Sequence, residues 1–162
     1  MINLVACIGS RDLNKHELEI CKAYGQALAE NGKMVITGNA RGADQAYAEG
    51  ANSVDPGKVI LVLPWYSYER HAIVEGNKVI VFDPKKPECI GWRLEAEKLH
   101  PAWHKLSQGG QLLMARNIRI VMYADYLIAF PKKNKYGQLG GTGQGIRYAE
   151  KLGMRIERLD ES

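Results

Sequence analysis

At 162 residues the chain is long enough for one domain to bury roughly 70% of its unfolded surface, so it needs no covalent or metal staple. Its 46% hydrophobic and 25% charged residues exclude a disordered tail or low-complexity polymer, and Cys7, Cys21 and Cys89 are too scattered for a disulfide framework or a paired-cysteine metal site. A net charge of +4, with a pI near 8.9, favours phosphate-bearing ligands without demanding a nucleic acid.

Leu4 to Ile8 is a short apolar run that ends at Gly9, as a buried parallel strand would. Asn14, with Glu17 three residues on, predicts a helix start. Leu18, Cys21, Ala27 and Leu28 follow at helical spacing until Asn31-Gly32 stops the helix after about 16 residues. Lys33 to Thr37 reads as a second strand, followed by the turn Gly38 to Asp44 and an Ala-rich helix through Ala51. Val59 to Leu63 and Val79 to Phe82 are further strands, closed by Pro64 and by Asp83-Pro84.

From Lys85 to Gln108 the periodicity weakens and Trp92 and Trp103 appear among Pro, Glu, Lys and His, which predicts an insertion packed on one edge of the sheet. Gln111 to Tyr123 returns to a helical pattern and Tyr126 to Phe130 is another buried strand. A polar loop, Lys132 to Leu139, leads to Gly140-Gly141-Thr142-Gly143. Gln144 to Leu152 is the last predicted helix, stopped by Gly153, and Met154 to Ile156 opens a terminal strand. Leu159 to Ser162 is expected to fray.

Alternating strands and helices predict an α/β, Rossmann-like, doubly wound and mainly parallel sheet with helices on both faces and an inserted α-rich segment. The expected organisation is a single domain over 1–162, with the insertion at about 65–108. The first residues lack the basic flank and long apolar core of a signal peptide, and no run approaches about 18 apolar residues, so a cytoplasmic protein with no membrane partner is expected.

Ligands of open parallel sheets sit beyond the carboxyl ends of the strands, near the point where strand order reverses. Three glycine-bearing segments fall at such ends: Gly9-Ser10-Arg11, Gly38 to Asp44, and Gly140 to Gly143. Glycine there lets backbone approach a phosphate, and the N–H groups of the next helix start bind anions. Neither a G-x-G-x-x-G fingerprint after the first strand nor a G-x-x-x-x-G-K-[ST] loop is present, which argues against an ordinary dehydrogenase or P-loop ATPase.

These residues resemble the SLOG superfamily, whose branches include DprA/Smf-type proteins, the YspA-like group and, more distantly, the LOG-type phosphoribohydrolases. Ile8-Gly9-Ser10-Arg11-Asp12 is similar to its opening G-S-R motif, and Thr37 to Asp44 to its T-G-x-A-x-G-x-D turn. Arg116-Asn117 followed by Ala124-Asp125 resembles the R-N…(A/S)-D segment, and Gly140-Gly141-Thr142-Gly143 the closing Gly-Thr turn.

The resemblance implies a ligand site built from Gly9, Ser10, Arg11, Gly38, Asn39, Ala40, Arg41, Gly42, Asp44, Arg116, Asn117, Gly140, Gly141, Thr142 and Gly143. In it Gly141 and Thr142 would donate to phosphate and Arg116 would supply a fixed positive charge. The hydrolase branch is similar to P-G-G-x-G-T-x-x-E, and the Gly-Thr pair places Gly145 where its glutamate would stand.

The expected function is therefore to bind a nucleotide or a nucleotide-derived phosphate such as an ADP-ribose-like ligand, as a sensor or sequestering protein with no catalytic residue assigned. The alternatives are a nucleotide N-glycosidic-bond hydrolase or transferase, with Asp44, Asp125 or Glu69 as replacement acid or base, and DprA-like binding of single-stranded nucleic acid, which the mild charge disfavours. A homo-oligomer is expected, and no metal, since His100 and His104 lack a third ligand. Several residues have plainer readings. Asp44 serves equally as a helix cap, Arg116 and Arg119 as solvated helix arginines, Lys132-Lys133-Asn134-Lys135 as a solvated loop, and Trp65 and Tyr66 as packing aromatics.

Overall fold

The computed structural model describes residues 3–161; Met1, Ile2 and Ser162 lie outside the described residues. The elements in chain order are β1 (Leu4–Gly9), α1 (Lys15–Glu30), β2 (Met34–Thr37), α2 (Ala43–Asn52), β3 (Val59–Leu63), β4 (Lys78–Val81), α3 (Pro87–Leu99), α4 (Gln108–Met122), β5 (Tyr126–Phe130), α5 (Gly140–Lys151) and β6 (Ile156–Arg158). The strands form one sheet in the order β4-β3-β2-β1-β5-β6, and every neighbouring pair is parallel. The fold is α/β and Rossmann-like, as the alternation of patterns predicts.

The sheet has two buried faces because its strands are apolar on both sides. Val5 and Cys7 of β1 face a cluster with Cys21 and Leu28 of α1 and Tyr47 and Ala51 of α2. Ala6 and Ile8 face the other way, toward Trp92 and Ala96 of α3, Ile118 and Val121 of α4, and Ile146 and Ala149 of α5. The stretch 65–108 supplies the edge strand β4 and then α3. Its Phe82, Trp92 and Trp103 are buried in that second cluster, so both tryptophans are core.

Local chemistry sets the helix ends. Asn14 caps α1 through a reciprocal pair: its side chain accepts from the Glu17 N–H at 2.9 Å and the Glu17 carboxylate accepts from the Asn14 N–H at 2.9 Å. At the far end Gly32 takes φ +75°, and the N–H groups of Gly32 and Lys33 return to the carbonyls of Ala29 and Leu28. Gly153, at φ +68°, ends α5 in the same way through Glu150 and Ala149.

Strands β1, β2 and β4 shift by one residue from the sequence expectation, to Leu4–Gly9, Met34–Thr37 and Lys78–Val81, and other ends differ for a local reason. Helix α4 begins at Gln108 because Ser107 caps it, accepting from Gly110 N–H at 3.0 Å. Helix α5 begins at Gly140 rather than Gln144, so the expected Gly-Thr turn is its first turn. Strand β6 starts at Ile156, not Met154, because the Gly153 cap holds Met154 against Ala149 and Ile156 is the residue opposite Leu127 of β5. Leu159 does not fray: its N–H donates to Ala129 O at 2.9 Å and its side chain packs on the α1/α2 cluster.

Candidate ligand-binding cleft

Strand β1 leads to β2 on one side, whereas β5 joins it on the other, so the strand order reverses between β1 and β5. A cleft of about 430 Å³ lies at the carboxyl ends of these strands, within the usual size of a small-molecule site. One wall is the end of β1 and the turn after it, Ile8 to Asp12. The loop residues Lys132, Asn134, Gln138 and Leu139, the start of α5, and Gly110, Leu113, Met114, Asn117 and Ile120 of α4 also line the cleft.

The first two turns are built against each other. Ser10 N–H donates to Phe130 O at 3.0 Å, and Ser10 O accepts from Ala43 N–H at 3.1 Å, which satisfies the first amide of α2. Gly42 sits at φ +88°, where a Cβ would come 2.7 Å from Arg11 Cα, so only glycine serves there. A Cβ on Gly9 would likewise come 2.5 Å from Ala43 Cβ and 2.9 Å from Phe130 O. With the backbones this close, Arg11 and Arg41 are both exposed and both line the cleft.

Behind them lie two buried ionisable side chains, Arg116 and Asp44. Arg116 is only 4% exposed; its Nη1 donates to the carbonyls of Gly38 and of Val62 (3.1 Å), and its Nε donates to Asn117 Oδ1 at 3.0 Å. It therefore ties α4 to the ends of β2 and β3. Asp44 is also buried, and its carboxylate accepts from Ala40 N–H at 3.3 Å. Burial pushes the Asp44 carboxyl up to about 6, while the Arg116 guanidinium and the Ala40 N–H act in the opposite direction. A Cβ on Gly38 would meet Arg116 Nη1 and Asp44 Oδ2 at 2.8 Å, so the missing side chain makes room for this pair.

Helix α5 has no side-chain cap, so the N–H groups of its first turn have no partner from a capping residue, and Gly140, Gly141 and Thr142 line the cleft. A Cβ on Gly141 would meet Asn117 Nδ2 at 2.9 Å, which explains glycine beside α4. One turn on, Gly145 also lines the cleft, and a Cβ there would come 2.6 Å from Ile8 Cδ1.

The structure thus brings Gly9, Ser10, Arg11, Ala40, Arg41, Asp44, Arg116, Asn117, Gly140, Gly141 and Thr142 to one cleft. Gly38, Asn39, Gly42 and Gly143 are not in its lining. Asn39, at φ 61° and 1% exposed, instead donates from Nδ2 to Glu69 O at 3.0 Å and so fixes the chain after β3. Arg116 is not a solvated helix arginine. Trp65 stacks edge-on to Tyr68 and lies near Gly109, outside the lining, whereas Tyr66 is 70% exposed beneath the Arg70 guanidinium at 3.6 Å. His100 and His104 both lie beyond the end of α3 and so are not one helical turn apart, and among the described residues no three His, Cys, Asp or Glu side chains cluster as a metal site would require.

Beyond Arg116 and Asn117, the sequence does not single out the α4 residues Gly110, Leu113, Met114 and Ile120 as lining, nor Gln138 and Leu139 of the loop after β5. Gly110, Leu113, Met114, Asn117 and Ile120 recur at helical spacing, a signal that in sequence reads as a core stripe. Lys132 and Asn134 carry a cue, the basic cluster Lys132-Lys133-Asn134-Lys135; Lys132 lines the cleft and pairs with Glu17 at 2.9 Å.

Among the described residues no helix is long and apolar enough to cross a membrane. No curated protein matches the chain significantly. Solved structures do. DNA processing protein A from Helicobacter pylori, described for its single-stranded DNA binding mode, is 20% identical, with a TM-score of 0.67 over 99% of this chain and 68% of that one. The molybdenum cofactor binding protein of the phototrophic bacterium Rippkaea orientalis is 20% identical, with a TM-score of 0.63 over 98% and 76% of the two chains. The molybdenum cofactor carrier protein of Chlamydomonas reinhardtii is 16% identical, with a TM-score of 0.63 over 96% and 76%. At these identities the likeness is one of fold. A family profile matches residues 3–84, which hold β1 to β4 and the first two glycine turns, and by that match the chain belongs to the SLOG cluster4 family.

Proposed function

We propose that the chain binds a nucleotide, or a phosphate ligand derived from one, in the β1/β5 cleft, as a sensor or sequestering protein. The observation that carries this reading is the start of α5: an uncapped helix N-terminus with glycine at its first two positions lines a cleft that also receives Arg11 and Arg41. Free amides and the positive end of a helix suit a phosphate, and glycine permits its close approach. The α4 side, with Leu113, Met114 and Ile120, offers an apolar wall for a flat ring.

Binding without cleavage is favoured by Gly145. The position where the hydrolase branch carries its glutamate has no side chain, and Ile8 Cδ1 occupies the space a side chain would enter. Asp44, the buried carboxylate of the lining, is engaged by the Ala40 N–H.

The test is a thermal-shift panel of nucleoside mono- and diphosphates, ADP-ribose and molybdenum cofactor, with mass spectrometry of small molecules released from the purified protein. At a hundredfold excess over Kd a true ligand contributes about 2.7 kcal/mol, a clear rise in Tm. No shift with any ligand and nothing released would overturn the reading, and release of free base above blank from the monophosphates would replace it with the hydrolase.

A second reading, single-stranded nucleic acid, is favoured by Tyr66, which carries a cation-stacked ring to solvent on the segment that follows β3. It requires an oligonucleotide gel shift that weakens with salt and is lost in Tyr66→Ala.

A further inference from the structure

The loop between β5 and α5 reaches the cleft with a lysine already engaged elsewhere. Its shape is set by Asn134, whose side-chain Oδ1 accepts from the N–H groups of Tyr136 (2.9 Å) and Gln138 (3.0 Å) and whose own N–H donates to Gln138 O at 2.8 Å. Lys132, at the start of this loop, lines the cleft, yet its ammonium pairs with the Glu17 carboxylate at 2.9 Å. Glu17 is in turn held by the Asn14 N–H in the α1 capping box, so it is a fixed anion. That bond first, and Lys132 after it, hold the Glu17 carboxyl below its usual range. The lysine side chain is 40% exposed, so the pair is a weak one, and a long flexible stem lets the ammonium turn from Glu17 toward the cleft.

We propose that Lys132 is a ligand-binding cation of the cleft and that Glu17 competes with the bound anion for it, so that Glu17 sets how strongly the cleft discriminates charged from uncharged ligands. The proposal rests on the nucleotide reading of the cleft. Glu17 is a positioning residue that acts through Lys132: by holding the ammonium it weakens binding of phosphate-bearing ligands and leaves binding of the uncharged nucleoside untouched. An exposed pair is worth up to about 1 kcal/mol, so releasing the lysine is worth up to about fivefold in affinity.

Calorimetric titration of the full chain with each of the four ribonucleoside 5′-monophosphates, and with the four nucleosides, tests this. Glu17→Gln keeps an oxygen for the Asn14 N–H and so keeps the helix start. It is expected to tighten monophosphate binding two- to fivefold and to leave nucleoside binding unchanged. Lys132→Met is expected to weaken monophosphate binding at least fivefold, and adding Glu17→Gln to Lys132→Met to change nothing further. Wild-type binding of a monophosphate with equal affinity in both single variants overturns this proposal alone. An equal gain for nucleosides in Glu17→Gln overturns it too. If the wild-type chain binds none of the monophosphates, the nucleotide reading falls and this proposal with it.

Discussion

Asp44 shows how one residue can be legible in sequence and still surprise in structure. As the last residue of the T-G-x-A-x-G-x-D turn it is expected as a cap or a ligand contact, and it is also a buried carboxyl raised from its ordinary 3.8 to about 6, chiefly by burial. Because the folded pKa lies above the unfolded one, the native state holds this proton more tightly. The group then costs nothing below about pH 4 and costs progressively more as pH rises through about 6. Two pKa units correspond to about 3 kcal/mol. Asp44→Asn is therefore expected to gain up to about 3 kcal/mol relative to wild type between pH 4 and pH 7, read as the change in urea-unfolding free energy at the two pH values. Parallel pH profiles for the two proteins would show that Asp44 carries no raised pKa. The cost is bearable because Arg116, which also lies against Gly38, offsets part of it.

Among the elements, α1 and α2 pack so closely that two glycines touch backbone rather than side chains. A Cβ on Gly25 would run into Tyr47 O, and a Cβ on Gly50 into Lys22 O. The sequence predicts both helices and their ends, but a glycine inside a helix reads as a weak point. Here it is a contact. Gly50→Ala should therefore destabilise the fold by about 1–3 kcal/mol despite its better helix propensity. Gly91→Ala in α3, exposed and with nothing within 4 Å of the added methyl, should stabilise by about 0.5–1 kcal/mol. Chemical denaturation of the two variants checks the pair, and a Gly50→Ala protein as stable as wild type would mean that the helices cross farther apart.

At the scale of the whole molecule, protection should follow place in the sheet. Val5, Val35, Leu61 and Leu127 of the inner strands are completely buried, whereas β4 and β6 each have one unpaired side and partly exposed residues. Native-state hydrogen exchange should find the amides of β1, β2 and β5 among the slowest and those of β4 and β6 opening first; equal protection across all six strands would contradict this layering. The amino-acid sequence by itself determined the alternation of strand and helix, the caps at Asn14, Gly32 and Gly153, and the glycine turns after β1 and β2, because these are written in local periodicity and in residues with special backbone freedom. Only the tertiary structure decided that β5 lies beside β1, which makes one cleft of turns about 130 residues apart in the chain. It also decided that Arg116 is buried against the carbonyls of Gly38 and Val62, and that the apolar stripe of α4 lines a ligand wall as well as a core. The physical reason is the same in each case: periodicity states which face of an element avoids water, and not which partner, backbone or ligand, will cover it.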